Sequence, residues 1–189
     1  MQTVDHPPTA DGETSQAKRL IVRVSLIALV SVFAAFWVWA LFFASKEAVN
    51  KLDDQGVWAA RAEQICAQAA DDRFELTDLR SVVDVGPELI RERADIIDKA
   101  TDIIEQMVDD LVAVQPTDEK GQAIVPLWEA DYRIYVRDRR NFADQLRETG
   151  ENLAFYETKV DAIPISERIA TFAGDNEMPA CAPPYDLTR

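Results

Sequence analysis

From Val24 to Ala44 the chain runs VSLIALVSVFAAFWVWALFFA, 21 residues without a charge. At about 1.5 Å of rise per residue, a helix of this length reaches roughly 30 Å, the thickness of a bilayer's hydrocarbon. A core helix of a globular domain keeps a polar face, and this stretch has none. It is also longer than the roughly 7–15 apolar residues of a secretory leader. The exit FFASKEA offers no small-x-small cleavage pair, and no cysteine stands beside it to accept a lipid. Trp37, Trp39, Phe42 and Phe43 gather at the C-terminal end as an interfacial aromatic belt does. The pattern predicts an uncleaved transmembrane helix, a signal-anchor over residues 20–45. The preceding MQTVDHPPTADGETSQA is polar, contains Pro-Pro and Asp-Gly, and shows no apolar period. It predicts a disordered tail over 1–19.

Beyond the span the apolar period is helical. Trp58, Ala62, Ile65, Cys66, Ala69 and Phe74 fall on one face of a helix expected from about 46 to 79, with Gly56 marking a bend between the membrane part and the soluble part. SVVDVGP, the one short run with strand character, ends it, and Pro87 suits the first turn of the next helix. There, Ile90, Ala94, Ile97, Thr101, Ile104, Val108 and Leu111 alternate steps of four and three, and Leu89, Ile96, Ile103 and Met107 widen the stripe. QPTDEKGQ reads as a loop. A third helix is expected from about 124 to 149, with Trp128, Tyr132, Tyr135, Phe142 and Leu146 on one face and Gly150 as its C-cap. ENLAFYETKVDAIP fits either a short helix or an extended crossing. ISERIATFAGDN predicts a last helix with Ser166 as N-cap, Ile169, Phe172 and Ala173 inward, and Gly174 past the end. The expected fold is all-α: one transmembrane helix, then an antiparallel three- to four-helix bundle over 46–189 with a pinned C-terminal tail.

Charge changes the picture of partners. The formal net charge is -14, and it arises after the span, since Asp5, Asp11 and Glu13 offset Lys18, Arg19 and Arg23 before it. So acidic a domain is repelled by phosphate, which excludes nucleic acid as a partner. Lys18, Arg19 and Arg23 precede the span, against Lys46, Lys51 and the more distant Arg61 after it. The positive-inside bias slightly favours a cytoplasmic N-terminus.

The two cysteines bear on the same question. Cys66 lies on the apolar face of the first soluble helix, and Cys181 lies in NEMPACAPPYD, where Pro179, Pro183 and Pro184 keep the chain extended. A Cys66–Cys181 disulfide would pin the tail across the bundle and require an oxidising compartment, so the expected location is the plasma membrane with the domain extracytoplasmic. The alternative is two free thiols. With no histidine nearby, the pair cannot close a tetrahedral metal shell.

In YRIYVRDRRNF, Arg139 falls on the aromatic stripe between Tyr135 and Phe142, where a charge must pair or snorkel. The expectation is an ion pair with an acidic side chain of a neighbouring helix. Arg133, Arg137 and Arg140 lie about a turn apart and are candidates for docking an anionic partner, set against pairing within the bundle. Glu92, Asp95, Asp98, Asp102, Glu105, Asp109 and Asp110 read as a solvated face, lacking both a calcium-loop pattern and the Glu-x-x-His of a di-iron site. The lone histidine, His6, lies in the tail. No nucleophile context, phosphate loop or poised carboxylate pair stands out, so neither an enzyme nor a cofactor is expected.

The span, WAARAEQICAQA, DYRIYVRDRRNFADQLR and PISERIATFAGDNEMPACAPPYDL together resemble uncharacterised single-pass membrane proteins of actinobacteria, over most of residues 20–187. That resemblance implies an extracytoplasmic helical domain and transfers no functional residue. The expected role is protein–protein contact with a partner of unknown identity, as an accessory part of a cell-envelope or membrane complex. The alternative is a ligand-binding or sensing domain that signals through a partner.

Overall fold

The computed structural model describes residues 11–42, 48–54, 56–76 and 85–187, with side chains from residue 18 onward. The chain divides into two compact units, residues 1–47 and 48–189. The first holds α1, Asp11–Phe42. Its segment Lys18–Phe42 is long and apolar enough to cross a membrane, with a mean hydropathy of 2.3. Residues 11–19, expected as part of a disordered tail, are helical instead. Once a helix exists, each added residue gains a hydrogen bond without a new nucleus, and Glu13, Gln16, Ala17 and Lys18 are good helix formers. The remainder of that tail, with His6, and the exit 43–47 lie outside the described residues.

The second unit contains α2 (Val57–Phe74), α3 (Pro87–Val112), α4 (Glu119–Thr149) and α5 (Ile165–Asp175). Between α4 and α5 lies a small hairpin of β1 (Lys159–Val160) and β2 (Ile163–Pro164). Its turn residues Asp161 and Ala162 have φ of 52° and 66°, the double positive φ of a type I′ turn. ENLAFYETKVDAIP is thus a mostly extended crossing that ends in this hairpin.

α2 is shorter than the expected 46–79. Asp54 accepts hydrogen bonds from the backbone N–H of Gly56 (3.0 Å) and of Trp58 (2.7 Å), and so caps the helix. Gly56, at φ 79°, is therefore where the helix begins. Trp58, Ala62, Cys66 and Ala69 are buried and Ile65 half-buried, but Phe74 is 77% exposed and does not belong to the inward face. The strand-like SVVDV falls almost wholly outside the described residues. In α3 all seven positions of the expected stripe are buried, with Pro87 in the first turn.

α4 starts earlier than expected. Asp118 accepts from the Gly121 N–H at 2.7 Å and caps it. Pro126 lies inside, where it removes one helical hydrogen bond; the cap and the burial of Gly121 and Val125 hold the first turns. Gly150 closes the helix at φ 65°, its N–H donating to Leu146 O at 2.9 Å. A Cβ at Gly150 would stand 2.7 Å from Pro87 Cβ, so the glycine seats the end of α4 against the start of α3. Gly150→Ala is expected to destabilise by about 1–3 kcal/mol, from the left-handed φ and the overlap together. A thermal midpoint equal to that of the unchanged protein contradicts the close approach.

α5 departs from expectation at both ends. Ser166 lies inside it, and the helix continues through Gly174 to Asp175. Glu157, reaching in from the extended crossing, accepts from Ser166 N–H and Oγ–H, both at 2.8 Å, and does the work of the missing cap. At the other end, buried Asn176 accepts from Leu52 N–H (2.8 Å) and donates to Asn50 O (2.9 Å), which fastens residues 50–52 to the end of α5. The larger core cluster joins α2, α3, α4 and α5 around edge-packed Trp58, Trp128 and Tyr132. A smaller one unites Ile90, Ile97, Phe142 and Leu146 with Leu187 of the tail.

Candidate functional site

The C-terminal segment is where the singled-out residues converge. Cys66 of α2 and Cys181 of the short 3-10 helix Pro179–Cys181 are joined, with an S–S distance of 2.00 Å, Cα atoms 5.0 Å apart and both residues fully buried. Helices on either side hold the backbone around this link. Ala180 N–H donates to Glu63 at 2.9 Å. Tyr132 O–H donates to Cys181 O at 2.7 Å, and Tyr135 O–H to Pro184 O at 2.9 Å. Burial pushes the Tyr132 and Tyr135 phenols above their usual pKa, which keeps both as donors.

Two turns further along α4, Arg139 is fully buried. Its partner is not on a neighbouring helix, as the sequence led us to expect, but in the tail. The guanidinium donates to Asp186 through two bonds of 2.6 and 2.9 Å. Its Nε–H donates to Thr101 Oγ1 at 2.9 Å, and Thr101 in turn donates to Ile97 O at 2.6 Å. Burial alone would lower the Arg139 pKa; hydrogen bonding and charge from Asp186 outweigh it, so the group sits above its ordinary value. The fork thus stays charged in a dry site, with a bidentate carboxylate as counter-ion. Arg73 and Arg93 also line the small cavity, about 150 Å³, beside Asp186, and burial lowers the pKa of both.

Arg133, Arg137 and Arg140 do not form an open cationic row. Arg133 bonds Asp109 (2.6 Å) and Glu129 (3.0 Å). Arg140 bonds Asp102 (2.8 Å) and Glu105 (2.5 Å). Arg137 alone points mainly to water, 3.5 Å from Asp138. Arg147, in the last turn of α4, bonds Asp95 at 2.9 Å and also Asp98. The pairings fall in index on α4 as they rise on α3. Arg133, Arg140 and Arg147 recur every seven residues opposite Asp109, Asp102 and Asp95, which recur likewise. The face of α3 expected to be merely solvated is therefore half of a charge ladder. The heptad spacing on both helices was the signal that could have revealed it.

Other polar groups serve the fold in the same way. Buried Asp138 accepts from Thr158 N–H (2.7 Å) and Oγ–H (3.1 Å), and Arg168 pairs with Asp131 at 3.1 Å. Among the described residues no group of three or more His, Cys, Asp or Glu side chains is placed to hold a metal ion.

Two grooves with apolar floors also open on the surface of the domain. Between α4 and α5, Leu127 and Ile163 flank a groove of about 340 Å³ over Trp128 and Phe172. Between α2 and α3 lies one of about 600 Å³. Neither was legible in the sequence, because a groove belongs to a pair of helices and not to either one. No protein-family model, curated protein or solved structure matches the chain.

Proposed function

We propose that this chain is a single-pass plasma-membrane protein whose N-terminus is cytoplasmic and whose domain, an antiparallel helical bundle, lies outside the cytoplasm. It works by protein–protein contact, as an accessory component of a cell-envelope or membrane complex, and carries no catalytic step. The observation that carries this reading is how the domain spends its side chains. The buried charged and hydroxyl groups described above pair helices or pin the tail, as with Arg139, Asp186 and Thr101. Two apolar-floored grooves open on the surface, and such grooves suit a macromolecular partner. The compartment rests on the Cys66–Cys181 pair, since such bonds persist in oxidising surroundings, together with the cation count on either side of the span.

Purification of the full chain in mild detergent is expected to recover a second protein in stoichiometric amount. A lone monomer carrying a small molecule overturns the contact role in favour of the sensing reading, which the volume of the α2/α3 groove supports. For the orientation, a membrane-impermeant thiol reagent applied to intact cells after reduction is expected to label the chain. Labelling only after lysis reverses the topology.

A further inference from the structure

The groove between α2 and α3 points to a particular kind of partner. Its floor is Ile65 and Ala69 from α2 and Ile103 and Met107 from α3, two residues one turn apart on each helix. Ala69 and Met107 are buried and the two isoleucines half-buried, so apolar surface stays in contact with water at the bottom. A trough walled by the ridges of two helices accepts the ridge of a third, and the thioether of Met107 adapts to the shape of what enters. The walls extend from Gln64 to Asp72 and from Asp102 to Asp110, about 12 Å along each helix, or two turns of a bound helix.

The rim sets the charge of the occupant. It carries Asp72, Asp102 and Asp110, and no lysine or arginine lines it. Among the described residues, the carboxylates of Asp72 and Asp110 accept from the neutral amides of Gln68 (2.9 Å) and Gln106 (3.0 Å), while Arg61 donates to the backbone carbonyl of Asp110 at 3.3 Å and not to its carboxylate. Asp102 shares Arg140 with Glu105. The rim therefore keeps a net negative field that a cationic flank would complement. A second copy of this chain, with a net charge of -14, brings like charge to the same place. We infer that the α2/α3 groove seats an amphipathic helix of a partner membrane protein, its apolar stripe on Ile65, Ile103 and Met107 and its lysines or arginines against Asp72 and Asp110.

This inference rests on the contact role proposed above, and the test separates the two. A photo-activatable phenylalanine analogue is placed at position 106 on the groove rim, or at position 127 beside the other groove, in the full chain in the membrane of the cells that make it. The expected result is an adduct from position 106 that mass spectrometry maps to a partner segment with helical apolar spacing and flanking basic residues. Ile103→Gln should cut that yield about tenfold, the worth of one isoleucine packed against a partner. Since Ile103 is half-buried, its thermal midpoint is checked. The paired surface change Asp72→Asn with Asp110→Asn, which leaves the core untouched, should cut the yield about threefold. An adduct to an acidic segment or to a second copy of this chain overturns the inference, as does an unchanged yield in a folded Ile103→Gln protein. Adducts from position 127 alone overturn the groove and leave the contact role standing; none from either position overturns both.

Discussion

Asp186→Ala should lower the stability of the domain by about 3 kcal/mol, or on the order of 10 °C in the thermal midpoint for a unit of this size. The size follows from which charge is left behind. Arg139 has no exposure at all, while the Asp186 side chain is 37% exposed. Removing the carboxylate strands a guanidinium where water cannot reach, with only Thr101 and the more distant Tyr135 hydroxyl, 3.5 Å away, as acceptors. Removing the cation instead, by Arg139→Met, leaves a carboxylate that can hydrate and fills the space with an apolar chain, so it should cost less. Thermal unfolding of both variants, followed by near-ultraviolet circular dichroism, decides the order. If Arg139→Met proves the more damaging, the burial of this pair is not as described.

The second large effect concerns the cystine. Cys66 and Cys181 are separated by 115 residues. On the chain-entropy account, opening so long a loop costs about 4–5 kcal/mol. Cys181→Ser should therefore bring a fall in midpoint comparable to or larger than that of Asp186→Ala, matched by reductant in the unchanged protein. Mobility on non-reducing gels should differ from that after reduction in the unchanged chain and not in Cys181→Ser. Identical migration of both under both conditions, with a midpoint indifferent to reductant, contradicts the bond. Because Asp186 and Cys181 hold the same segment, the double variant should lose less than the sum of the singles. Once the tail is released, the second attachment has little left to hold.

The sequence made the helices legible because each rests on local information. The stripe of α3 from Ile90 to Leu111 is buried at every expected position, and Gly150 ends α4 where a left-handed cap was expected. Errors gathered where one element is completed by another. Ser166 reads as a cap until Glu157 arrives from across the crossing to take that role. Phe74 continues the period of α2 but lies beyond its inward face. The acidic residues of α3 look solvated until the arginines of α4 stand opposite them.

Taken alone, the chain of residues determined one apolar helix long enough to span a bilayer, a helical domain after it, the faces those helices bury, and the requirement that Arg139 pair or snorkel. These follow from period, length and the cost of a buried charge, each a property of a short stretch. Only the tertiary structure decided that Asp186 is the partner of Arg139, that Cys66 meets Cys181, and that Arg133, Arg140 and Arg147 zip α4 to α3. It likewise decided that α2 and α3 leave an acidic-rimmed trough between them. Such pairings depend on which distant segments come to lie within a few ångströms. That is set by the packing of all the helices at once, and no window of sequence contains it.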